Sequence, residues 1–167
     1  MTRVIKAAQP VPYDIDTVSV FLGGTIDMGG AENWQELLTL LLDNYSDRLL
    51  IVNPRRDDWD SSWEQKPMPG TPFYEQVSWE LYHQERADIN IYYFAPDSKS
   101  PITLMELGLF ANSSVMVFCN ERFYRYGNVK IVCDRYNIPI YESMSEFLQE
   151  LRRNIETKLR EKEISNG

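Results

Sequence analysis

Short apolar runs rich in β-branched and aromatic residues recur along this chain, and helically spaced segments stand between most of them. TVSVFLGG (17–24), RLLIVNP (48–54), DINIYYFAP (88–96) and SSVMVFC (113–119) each have the length of a strand. A fifth strand falls within KIVCDRYNIPIYES (130–143). AENWQELLTLLLDNY (31–45) carries apolar residues at 34, 37, 38, 41 and 42, the stripe of an amphipathic helix. FYEQVSWELYHQERA (73–87) is helical by the same pattern, with Phe73, Val77, Trp79 and Leu81 marking its packed side. Ser100 reads as an N-cap and Pro101 as the first residue of a further helix. Ser143 and Glu146 have capping-box spacing ahead of the last helix, whose stripe runs from Met144 to Leu159.

Strands alternating with helices predict an α/β domain: a five-stranded, mainly parallel sheet with helices on both faces. With 167 residues and 43% hydrophobic composition, one such domain over residues 17–162 is expected. An N-terminal arm (1–16) with Pro10 and Pro12 would precede it, and a short flexible tail (163–167) would follow. No apolar run is long enough to span a bilayer, and the first residues lack the apolar stretch of a signal peptide, so a cytoplasmic protein is expected. Cys119 and Cys133 lie in hydrophobic segments and read as reduced core residues. A formal net charge of −8 argues against a nucleic-acid polymer as partner, and one histidine with two scattered cysteines argues against a zinc site.

In parallel sheets ligands bind beyond the carboxyl ends of the strands. That rule selects three junctions, at 23–30, 53–72 and 95–106. The third contains SPITLMELGLFA (100–111), where Glu106 is the one carboxylate in an apolar run. Its neighbours at helical spacing are Ile102, Thr103, Leu109 and Phe110, and a carboxylate on such a face is costly without partners. The plain alternative is a glutamate at a helix edge that reaches water; its place at the sheet's carboxyl edge favours a functional role. In FLGGTIDMGG, glycines after the first strand allow close approach of a ligand at Gly24, with Thr25 and Asp27 reaching toward it, although no dinucleotide or P-loop fingerprint is present. NPRRDDWD, by default a solvated loop, offers Asp58 and Trp59 as an acid and an aromatic lid. Glu80, beside Trp79, is a candidate second carboxylate, so that one attacks while the other handles protons. His83 reads as a surface or partly packed residue.

FLGGTID, ENWQ, NPRRDDW, QVSWE and ADINIYYFAP…SPITLMELGLFA together resemble the nucleoside 2-deoxyribosyltransferase family over about residues 18–142, the MELG element most specifically. The resemblance implies a flavodoxin-like fold, no metal or organic cofactor, and transfer of 2-deoxyribose between purine or pyrimidine bases. It makes Glu106 the nucleophile that forms a covalent deoxyribosyl ester, and Glu80 the counterpart of the family's acid. The position of the family's sugar-binding aspartate falls near Ser100 here, and no aspartate stands there. The tyrosine that steadies the nucleophile in some members is replaced by Phe21 and Thr25, with Tyr92 or Tyr93 as substitutes. A homo-oligomer, dimer or hexamer, is also implied, each pocket completed by a neighbouring subunit through Asn128. The alternatives are a hydrolase of deoxynucleosides or their monophosphates, which Asp27 would disfavour by repelling phosphate, and an inactive nucleoside sensor.

Overall fold

The computed structural model describes residues 1–26, 32–60 and 62–167. Six parallel strands form one sheet: β1 (Arg3–Lys6), β2 (Val18–Gly24), β3 (Leu49–Asn53), β4 (Ile89–Phe94), β5 (Val115–Cys119) and β6 (Ile140–Tyr141). Their order is β1-β3-β2-β4-β5-β6. Without β1 this is the flavodoxin-like order, and its switch point lies between β2 and β4. Among the described residues five α-helices flank the sheet, four between strands and one after the last: α1 (Trp34–Leu41), α2 (Pro72–Arg86), α3 (Pro101–Phe110), α4 (Tyr126–Tyr136) and α5 (Met144–Asn166).

Helices cover both faces, and that explains the near-continuous apolar strands. Val20, Leu22, Ile89 and Ile91 join Trp34 and Leu38 of α1 and Phe147, Leu151 and Ile155 of α5 in one core. On the opposite face Tyr92, Phe94, Val115 and Val117 pack with Leu107 of α3 and Val129 and Cys133 of α4. Phe21, Leu50 and Val52 pack beside them against Trp79 of α2. Successive residues of β2 and β4 thus serve different faces, as the pleat requires. The helix starts follow their caps: Thr71 accepts from the Tyr74 amide ahead of Pro72, and Ser143 from the Glu146 amide.

Two expectations need correction. The sheet has six strands, not five, because Arg3–Lys6 of the N-terminal segment pairs in parallel with β3. The run containing KIVC is helical; Val129 and Cys133, four residues apart, bury one side of α4. Asn137, left-handed at φ 55°, ends that helix, and only Ile140–Tyr141 is strand.

Candidate active site

Glu106 stands in the second turn of α3, and only 7% of it is exposed. It points inward with Thr103 and Leu107, at spacings of three and one. Ile102 and Leu109, expected on the same apolar face, instead project outward with Met105, each more than half exposed. The buried side of α3 is therefore narrow and carries the carboxylate at its centre. The Glu106 carboxyl is pushed up to about 8, chiefly by burial and next by the nearby Glu80 charge, with a hydrogen bond from Gln84 opposing the rise.

Helix α2 explains the partners. Its deepest residues are polar: Gln76, His83 and Gln84 are buried, and Glu80 completes a stripe at positions 76, 80 and 84. The expected packed side (Phe73, Val77, Trp79, Leu81) is only partly buried. Spacing of four places Gln76, Glu80 and Gln84 on one face. The Gln76 amide donates 2.6 Å to Glu80 Oε1 and 3.1 Å to the carbonyl of Pro54, just past the end of β3. Desolvation raises the Glu80 carboxyl to about 7, against the pull of the Gln76 hydrogen bond. Sequence reasoning found Glu80 and missed both glutamines; a polar residue at every fourth position of a helix covered by the sheet was the available signal.

The two carboxyls are electrostatically coupled, each costly to ionise while the other is charged. Near neutral pH the pair holds one proton. Such a pair combines a nucleophile or base with an acid.

At the carboxyl edge of β2 and β4 three buried hydroxyls meet. Ser100 Oγ lies 2.7 Å from Thr25 Oγ1 and 2.7 Å from Ser98 Oγ. Thr25 Oγ1 also accepts from the Ala95 amide at 3.1 Å. Ser100 occupies the N-cap position of α3 but makes no cap bond; its backbone is left-handed at φ 43° and its hydroxyl serves this cluster. Gly24 has φ 146°, and a Cβ there would come within 2.5 Å of the Tyr93 carbonyl and 2.9 Å of the Trp34 ring. Trp34 donates to the Thr25 carbonyl and stacks on Tyr93, which stacks on Phe118. These aromatic planes support the strand ends from the face opposite Glu106.

The other candidates are dispersed. Asp58 is exposed and held by Arg56 through two 2.8 Å hydrogen bonds, which lower its carboxyl below the usual range. Trp59 packs edge-on to Trp63, whose ring lies under the Arg56 guanidinium. Asn128 is exposed on α4 and lines a groove of about 340 Å³ with Leu104, Leu107, Gly108 and Arg125, apart from the carboxyl pair. Asp27 lies outside the described residues. His83 is not a surface residue: it is buried among Tyr13, Trp79 and Tyr82, bonded through Nδ1 to the Tyr13 hydroxyl at 2.8 Å, and its pKa is lowered to about 4, chiefly by burial. Of the two tyrosines proposed as substitutes, Tyr92 is fully buried on the Glu106 face, whereas Tyr93 belongs to the aromatic stack behind.

Comparison with known proteins supplies the family. Residues 17–124 match the family described as nucleoside 2-deoxyribosyltransferase like. No curated protein matches the chain. The match covers well over half of the sequence and spans β2 through β5 with α1, α2 and α3. The chain belongs to this family, and a related glycosyl-transfer or hydrolase role comes with it.

Proposed function

We propose that this member of the nucleoside 2-deoxyribosyltransferase-like family moves 2-deoxyribose from one nucleobase to another by double displacement at Glu106. The observation that carries the reading is the coupled pair: a buried carboxylate in α3 facing a second, raised carboxyl in α2 at the sheet's switch point. In the free protein the Glu106 carboxyl is the higher of the two, so on substrate binding the pair's proton passes to Glu80. Glu106 then attacks the anomeric carbon as the bond to the leaving base breaks, and Glu80 gives that proton to the base nitrogen that receives the electron pair. The sugar is then held as an ester of Glu106. An incoming base attacks the same carbon, the ester bond breaks and returns Glu106 as carboxylate, and Glu80 takes the proton that the new base loses. Two inversions give retention. Burial supports transfer over hydrolysis, because water reaching the ester would divert it.

The substrates are 2-deoxynucleosides and free purine or pyrimidine bases, and no cofactor enters these steps. Gly24, Thr25 and Ser100 line the strand ends where the sugar would lie, and Asp27, Asp58 and Trp59 belong to the flanking loops. The activity is assigned to residues 17–162, with 1–16 as the arm that adds the edge strand; the expected flexible tail at 163–167 is instead the end of α5, which runs to Asn166. A homo-oligomer is favoured by the outward row of Ile102, Met105 and Leu109 on α3, an apolar face that a second copy would cover while bringing Asn128 to a neighbouring pocket. A cytoplasmic site of action accords with this metabolism, and among the described residues no helix is long and apolar enough to cross a membrane.

The test is one incubation of the protein with deoxyinosine and adenine, followed by chromatography, with Glu106→Ala alongside. Deoxyadenosine formed by the wild type alone supports the reading. Free deoxyribose without a new nucleoside replaces it with hydrolysis, and no product from any purine, pyrimidine or nucleotide donor overturns both.

A further inference from the structure

Gln76 is 4% exposed, and its side-chain amide is used at the nitrogen alone. Nε2 donates to the Pro54 carbonyl at 3.1 Å and to Glu80 Oε1 at 2.6 Å. Both partners are acceptors, and this fixes which way the amide faces: turned over, it would set its oxygen against the Pro54 carbonyl. The amide oxygen is left over. Gln76 Oε1 is buried and, among the described residues, accepts no hydrogen bond. A buried acceptor without a donor is costly, and native proteins seldom leave one. Its place on α2 points to the missing partner. The same amide is bonded to Glu80, which is itself only partly buried, so a ligand that reaches the Glu80 carboxyl comes up against Gln76. Because Glu80 Oε1 takes the Gln76 hydrogen, the proton of the neutral acid belongs on Oε2. The two side chains thus hold ready one donor, the acid O–H, and one acceptor, the free amide oxygen.

We propose that Gln76 determines which base is accepted, its free oxygen taking an N–H beside the atom that Glu80 protonates, and that 6-aminopurine nucleosides are preferred to 6-oxopurine ones. The proposal rests on reading Glu80 as the acid. In a purine nucleoside the electron pair of the broken glycosidic bond is delocalised across the five-membered ring to N7, where Glu80 delivers its proton. The group next to N7 then decides the fit. Adenine shows the N7 acceptor beside the N6 amino donor, which matches an acid O–H beside an amide oxygen. Guanine shows N7 beside the O6 acceptor, and hypoxanthine has the same edge, so two oxygens would face each other with no hydrogen between them. The Gln76 amide cannot turn to suit them, because the Pro54 carbonyl at the end of β3 holds its nitrogen. A buried acceptor left unpaired by the wrong ligand discriminates more strongly than a mere loss of apolar contact.

The experiment is calorimetric binding of three nucleosides to the full chain carrying Glu106→Ala, so that affinity is read without transfer. The nucleosides are deoxyadenosine, deoxyinosine and the purine 2-deoxynucleoside with no substituent at position 6. Deoxyadenosine is expected to bind at least about tenfold more tightly than either of the others. Adding Gln76→Met, which keeps the bulk of the side chain, should bring all three within about twofold by weakening deoxyadenosine. All three present the same N7 to Glu80, so their ratios are insensitive to what the substitution does to that carboxyl. Equal affinities before the substitution, a preference that survives it, or no binding of any nucleoside overturns the proposal. If the double variant does not fold, the three affinities of Glu106→Ala decide. Base exchange by the wild type is a separate readout. Selective binding without exchange from any donor keeps Gln76 as the reader and sinks the transferase, whereas exchange that uses deoxyadenosine and deoxyinosine equally does the reverse.

Discussion

The ring of Tyr92 lies where a Cβ of residue 23 would stand: built on Gly23, that atom would come within 2.8 Å of the tyrosine Cδ1. The two residues are paired across β2 and β4, and the Tyr92 ring cannot yield freely because its hydroxyl is bonded to Gln84. Gly23→Ala is therefore expected to destabilise the protein by about 1–3 kcal/mol through overpacking. It should also loosen the Tyr92–Gln84 contact. Denaturant unfolding measures the first effect; a midpoint equal to that of the wild type would contradict the packing argument.

Much of this arrangement was legible in the sequence, for identifiable reasons. The strands that form the sheet's centre are covered on both faces, so β3 and β4 read as near-continuous apolar runs. Glu106 was visible because its apolar context made it an exception. Gln76 and Gln84 were missed, because a single uncharged amide on a helix gives no sign of burial and only their spacing of four with Glu80 marks the face that the sheet covers. The strand Arg3–Lys6 was also hidden. At the sheet's edge its residues are only partly buried, so its pattern is that of an ordinary polar segment. Ser100 was placed at the right position but with a different role, since a left-handed backbone turns its hydroxyl toward Thr25 and Ser98 rather than toward the α3 amides.

The hydroxyl cluster gives a second prediction. Thr25→Val preserves shape but leaves the Ala95 amide and the Ser100 hydroxyl without the Thr25 oxygen. A loss of about 1–3 kcal/mol is expected, the range for a buried polar group deprived of its partner. The chemical-denaturation midpoint should fall with an unchanged slope. A change in slope with no fall in stability would mean that the cluster does not hold β2 to the start of α3.

The coupled carboxyls predict the pH dependence of turnover. The reaction needs one proton on the pair, so kcat/KM should follow a bell. The acid limb reflects double protonation below about 7 and the alkaline limb double ionisation above about 8, as properties of the pair rather than of either residue. Glu80→Gln should remove the alkaline limb and slow transfer by about 10²-fold or more. A single acid limb near the ordinary carboxylate range in the wild type would show that the pair is not coupled during catalysis.

Burial of Glu106 also predicts how stability varies with pH, and the sign is specific. Its carboxyl titrates near 4.5 when unfolded and at about 8 when folded, so between these values the folded state binds more protons. Its contribution to stability is full below the unfolded value and is lost as pH rises toward the folded one. Glu106→Gln cannot ionise and escapes this loss. The variant should match the wild type near pH 4.5 and become progressively more stable than it up to pH 8. Each pKa unit corresponds to about 1.4 kcal/mol, or roughly 3–5 °C in Tm for a chain of this size. Thermal melts of both proteins across this range measure the difference directly. A constant offset would mean that Glu106 ionises freely in the folded protein, and the buried nucleophile would have to be abandoned.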